Sequence, residues 1–108
     1  MKTELAARES IVLQGVAVMM RKIGFVRGVL YLTTSRLIFE SHKFYVQTGS
    51  TVIDLSSIQG ARTRWHMFLL PSGIAVELED GTIHKFDVFP RSDWLTAIDD
   101  ARSRYHAA

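Results

Sequence analysis

Seven short strand-like segments followed by one helical segment predict a mainly β fold: a bent seven-stranded antiparallel sandwich or barrel capped by one C-terminal α-helix. Three observations lead there. Up to Phe89, short apolar runs rich in β-branched side chains alternate with turn signals. After Phe89-Pro90 the apolar period changes from about 2 to about 3.6. The 108 residues suffice for one hydrophobic core but not for two, and no linker or internal repeat divides them. Residues 1–108 are therefore read as a single domain.

The elements follow in order. Residues 10–20 (SIVLQGVAVMM) form the first strand and end in Arg21-Lys22, with Gly24 just beyond in a short loop. Segments 27–33 and 36–42 flank Thr33-Thr34-Ser35 and make a hairpin. Gln47-Thr48-Gly49-Ser50 marks a loop, 51–55 a short strand, and Ser56-Ser57 a bend before the strand-like 58–68. Pro71-Ser72-Gly73 is expected to turn the chain into the last two strands, 74–79 and 82–89.

Register in that last pair can be argued from chemistry. Ile74, Val76 and Leu78 share one face, as do His84, Phe86 and Val88. A two-residue Asp80-Gly81 turn would set Val76 against Lys85 and mix the faces. A three-residue loop of Glu79, Asp80 and Gly81 sets Val76 against His84 and Ile74 against Phe86, with Gly81 at the left-handed position. The bulged loop is the one expected. In the helix, placed at about 92–105, Trp94, Ile98, Ala101 and Tyr105 line one face. Ser92 is the expected N-cap, and Asp99 with Arg102 and Asp100 with Arg104 are spaced to pair on the solvent side.

Composition removes several function classes. With no Cys there are no disulfides, thiol nucleophiles or thiolate metal sites. A hydrophobic fraction of 47% excludes general disorder. Thirteen basic against eleven acidic residues leave a net +2, which is not a nucleic-acid footprint. The longest apolar runs, Val16 to Met20 and Met67 to Pro71, are far short of the roughly 20 residues of a spanning helix, and the first nine residues lack the features of a signal peptide. The expected location is the cytoplasm, with peripheral membrane contact open. His42, His66, His84 and His106 have no ligand-like spacing, so neither metal nor cofactor is expected, and His84 reads as a core histidine. Glu77, Glu79, Asp80 and Asp87 read as a solvated face rather than a catalytic pair, and no nucleophile or phosphate-binding motif accompanies them. No enzyme is expected.

Gly28-Val29-Leu30-Tyr31-Leu32-Thr33 followed by Arg36-Leu37-Ile38-Phe39 resembles the G-x-L-Y-L-T-x-x-R-L-x-F signature of GRAM domains, members of the pleckstrin-homology (PH)-like superfold. The Asp80-Gly81 hairpin and the helix with Trp94, Ile98 and Ala101 resemble the end of that superfold, so the likeness runs from about Glu9 to Tyr105. The resemblance implies a helix-capped, bent seven-stranded sandwich that serves as a lipid- or protein-binding module and not as an enzyme. Fold membership alone does not place the site.

Two segments are candidates. Arg21, Lys22, Ile23, Phe25 and Arg27 put three cations beside two apolar side chains at a loop tip, a combination suited to an anionic membrane interface. Phosphoinositide-binding PH domains are similar in carrying a Lys and then a Lys/Arg-x-Arg triplet here. Lys22 and Arg27 match the first two positions, but the third falls on Val29, which argues against stereospecific headgroup recognition. The bland alternative folds Phe25 onto the core. The second segment is Arg62, Arg64, Trp65, Met67, Phe68, Leu69 and Leu70, an apolar hairpin tip suited to a protein partner or to self-association. Its alternative is a strand crossing a covered corner. Charge is polarised along the chain, +5 over residues 1–67 and −3 over 68–108. The leading function is peripheral association with anionic phospholipid, and protein interaction or homo-oligomerisation through residues 65–70 is the alternative.

Overall fold

A computed structural model describes residues 3–21, 24–41, 50–66 and 70–107; for 21, 64–66, 70–72 and 107 it describes the backbone alone. The strands are β1 (Ile11–Arg21), β2 (Gly24–Thr33), β3 (Arg36–Ser41), β4 (Ser50–Asp54), β5 (Ile58–His66), β6 (Leu70–Leu78) and β7 (Ile83–Val88), followed by the helix α1 (Arg91–Ala107). They form one antiparallel sheet in the order β4-β3-β2-β1-β7-β6-β5, which is not closed into a barrel. The two edges are joined by a 3₁₀ turn at Leu55–Ser57. β1 pairs with β2 from end to end but with β7 only from Ala17 to Met19, so β1 is the seam about which the sheet bends.

Bending brings the inner faces of all seven strands into one core. Leu30, Leu32, Leu37, Phe39, Ile53, Ile58, Ile74, Val76, Phe86 and Val88 are all buried there, with Phe39 and Phe86 rings 5.9 Å apart. α1 covers the open end. Trp94 and Ile98 are buried, and the Trp94 ring lies so near β1 that a β-carbon on Gly15 would be 3.5 Å from Cζ2. The expected register of the last hairpin is found: Val76 opposes His84 and Ile74 opposes Phe86. Leu78 N–H donates to the Thr82 carbonyl at 2.8 Å, Gly81 N–H to that of Leu78 at 3.0 Å, and Gly81 has φ +92°. Asp99–Arg102 and Asp100–Arg104 form the two expected pairs on α1.

Several boundaries move. Pro71-Ser72-Gly73 does not turn the chain but belongs to β6, and residues 67–69 lie outside the described residues. Proline is tolerated in this strand because β7 pairs with β6 only from Gly73 onward, so at Pro71 one side of β6 lacks that neighbour. The first loop is also shorter than expected. The β1–β2 ladder runs to Arg21 opposite Gly24, whose φ of +106° reverses the chain at once. The bend at Ser56-Ser57 is the 3₁₀ turn, which takes Leu55 from the preceding strand and buries it. Helix α1 starts at Arg91, with Trp94 N–H donating to the Pro90 carbonyl at 3.3 Å, so Ser92 lies inside the helix and not at its cap. Tyr105, at the far end of the stripe, is 40% exposed. The expected loop at 47–50 lies outside the described residues except for Ser50, which opens β4.

The segment ahead of β1 is fastened to the outer side of β2 and β3. Thr3 N–H donates to the Glu40 carboxylate at 2.7 Å, and Arg36 donates to the Glu4 carbonyl at 2.9 Å. The Glu9 carboxylate is nearly fully buried against the β2–β3 turn. It accepts from Arg36 at 2.6 and 2.8 Å, from Ser35 Oγ at 3.0 Å, from the Ala6 N–H at 2.9 Å, and from Thr33 Oγ1. Thr33 Oγ1 in turn accepts the Ser35 and Arg36 N–H groups. The Thr33 and Arg36 of the family-like signature thus lock a turn to the chain's N-terminal segment.

Candidate functional site

The first candidate segment sits at the end of the β1–β2 hairpin. Phe25 opposes Met20 and Arg27 opposes Val18 across the ladder. With inner positions set by Met19 and Val26, alternation sends Phe25 and Arg27 to the outer face. Of the two placements open to Phe25 it takes the solvent-facing one, 60% exposed, and Arg27 is exposed beside it. Lys22 and Ile23 lie outside the described residues, and Arg21 is described as backbone, at the last rung of β1. The hairpin therefore brings Phe25 and Arg27 together on one surface, two residues apart on the same strand.

Val29, at the third basic position of the phosphoinositide pattern, is half-buried and opposes Glu40 on β3. An apolar side chain occupies that position, and the carboxylate across from it on β3 is buried and accepts the Thr3 N–H. Burial, helped by the Glu40 charge, pushes the Tyr31 hydroxyl above its ordinary pKa.

Of the second candidate segment, Arg62 is exposed on β5 and pairs with Glu77 on β6 at 2.8 Å. Arg64, Trp65 and Leu70 are described as strand backbone alone, and Met67, Phe68 and Leu69 lie outside the described residues. His84 is half-buried on the inner side of β7, and burial lowers its pKa against the opposing pull of Asp80. The Asp80 carboxylate is held low by its bond from Thr82 N–H at 2.9 Å, a turn-closing role. Arg36 and its hydroxyl neighbours hold the Glu9 carboxylate well below the usual carboxylate range. That cluster is spent on the turn and presents no open face.

Sequence reasoning passed over two residues. Val16 on β1 is 57% exposed, and Phe89, which the strand reading carried into β7, lies past its end and is 76% exposed. The run Val16-Ala17-Val18 hid the first, because a β-branched strand with both faces apolar does not say which face is covered.

A family model described as the GRAM domain matches residues 1–106. The chain belongs to the GRAM domain family. No curated protein matches it in sequence. Among solved structures the GRAM chain is similar to the Vps36 N-terminal PH domain, with a TM-score of 0.77 at 14% identity over 97% of this chain and 87% of that one. It is also similar to the C-terminal domain of an unknown protein from Leishmania infantum, with a TM-score of 0.75 at 14% identity over 87% and 84%. A third is the linker-DH/PH region of p115-RhoGEF, with a TM-score of 0.73 at 14% identity over 92% of this chain and 31% of that longer one. These likenesses establish the PH-like fold. Together, family and fold support a module that binds lipid or protein, a role such domains typically fill without catalysis. Among the described residues no helix is long and apolar enough to cross a membrane.

Proposed function

We propose that this GRAM domain associates peripherally with anionic membrane lipid through the β1–β2 hairpin. The observation that carries the proposal is Phe25, 60% exposed beside the exposed Arg27 at the hairpin end. An aromatic ring more than half exposed at a hairpin end can enter the bilayer interface, while neighbouring cations meet anionic headgroups. Arg21, Lys22 and Arg27 each contribute about 1 kcal/mol near such a surface, and a Phe25 ring that leaves water contributes at most about 3 kcal/mol. The three cations together match the most that the ring can contribute, so binding is expected to depend on surface charge. With Val29 at the third basic position, little discrimination among phosphoinositide isomers of equal charge is expected.

The test is co-sedimentation with phosphatidylcholine vesicles, with and without phosphatidylserine, alongside light scattering. The domain should sediment with the anionic vesicles and be released as salt shortens the Debye length from about 10 Å to about 3 Å. Absence from anionic vesicles at low salt would overturn the proposal. A doubled mass without lipid would favour protein interaction, with Phe68→Glu reporting on the 65–70 hairpin.

A further inference from the structure

The outer face of the sheet beyond the hairpin is unusually apolar for a solvated surface. Val18 on β1 is flanked by Arg27 on β2 and Asp87 on β7. One rung toward the hairpin, Phe25 and Met20 lie side by side, with Lys85 next along β7. One rung the other way, Val16 meets Phe89 across a shallow trough of ≈ 370 Å³ whose lining also includes Val18, Arg27 and Asp87. Among the described residues Arg27 and Lys85 are exposed on this face, while Asp87 is half-buried.

We infer that this trough is a second membrane contact, continuous with the hairpin, and that the domain lies on its side with β1 in the plane of the interface. The inference rests on the lipid reading of the hairpin and adds to it the orientation and the anchors Val16 and Phe89. Size selects the occupant. Phe25, Phe89 and Val16, at 60%, 76% and 57% exposure, present about 300–400 Å² between them, below the ~800 Å² per partner of a stable protein interface. A face that small suits a few side chains entering a bilayer interface, because there each contributes by its own apolar area. Arg27 and Lys85 stand on either side of the apolar column, where long cationic side chains can reach headgroups while it is immersed.

The absence of Cys from the sequence makes site-specific labelling clean. Val16→Cys, Phe89→Cys, Phe25→Cys and Ser103→Cys, the last exposed on α1, are each labelled with an environment-sensitive fluorophore and mixed with phosphatidylcholine–phosphatidylserine vesicles. The labels at 16, 89 and 25 should brighten and shift to the blue, while that at 103 should not. The double variant Val16→Asp/Phe89→Asp should lose about tenfold or more in vesicle partitioning. Should the Phe89 variants melt early, Val16→Cys and Val16→Asp carry the same test within a strand. A response at 25 but not at 16 or 89 means docking by the tip alone, which overturns the side-on orientation and leaves the hairpin reading standing. Silence at all three sites overturns both. Blue shifts at 16 and 89 without vesicles, together with a doubled mass, mean a second copy occupies the trough and overturn the inference.

Discussion

Gly28 opens the family signature, and its neighbours predict what a single methyl group would do there. A β-carbon on Gly28 would stand 2.2 Å from the Glu40 carbonyl oxygen, 2.8 Å from Phe39 Cζ and 2.8 Å from Ser41 Cα. Two of these atoms are backbone, and Gly28 opposes Ser41 in the β2–β3 ladder, so no side-chain rotation relieves the collision. Ordinary contact begins near 3.4 Å, so β3 would have to move by about 1.2 Å against its own hydrogen bonds. Overpacking of this kind costs about 2–3 kcal/mol, more than the ~0.5–1 kcal/mol gained by giving a strand glycine a side chain. About 1–2.5 kcal/mol remains after that gain, so at about 4 °C per kcal/mol for a domain of this size Gly28→Ala should lower the melting temperature by roughly 4–10 °C in a calorimetric or circular-dichroism melt. Gly15→Ala is the control. Its β-carbon would meet the Trp94 ring at an ordinary 3.5 Å, so its melting point should hold or rise slightly. A Gly28→Ala protein melting within about 2 °C of the parent would refute the close-approach argument.

Trp94→Ala should cost about 3–5 kcal/mol by chemical denaturation, because the ring is buried between α1 and β1. Glu9→Ala should cost about 3 kcal/mol, since it removes the carboxylate from the Arg36 guanidinium, the Ser35 and Thr33 hydroxyls and the Ala6 N–H. Because the folded Glu9 carboxylate titrates below its unfolded counterpart, its contribution is fully present above about pH 4.5 and is lost as pH falls. Melts across pH 2–6 should show that slope in the parent protein and a shallower one in Glu9→Gln. His84, whose folded pKa is lowered by burial, contributes a separate loss that starts as pH falls through about 6.5 and that His84→Asn should remove. In vesicle binding, Arg21→Glu with Lys22→Glu should abolish sedimentation, while Phe25→Ala should weaken it less.

Local pattern carried much of this fold. The seven strands, the single helix and the two-residue spacing of Val76, Ile74, His84 and Phe86 could be read from period and turn chemistry, because one apolar face and one left-handed glycine fix a hairpin's register. Trp94 and Ile98 were legible as the buried stripe for the same reason at a period of 3.6. What depends on a distant neighbour was not legible. Pro71 reads as a turn residue until the end of β7 leaves one side of its strand unpaired. Glu9 is one polar residue among several until Thr33, Ser35 and Arg36 close around its carboxylate. Gly28 needs its glycine only because β3 runs against it. Of the hairpin site, the residue types were visible in the chain, but the exposure of Phe25 was decided by the pairing of β1 with β2. Val16 and Phe89, far apart in sequence, meet only because β7 returns alongside β1. Alternation tells which side chains share a face of a strand, and only the packing of the other elements decides which face is left to water.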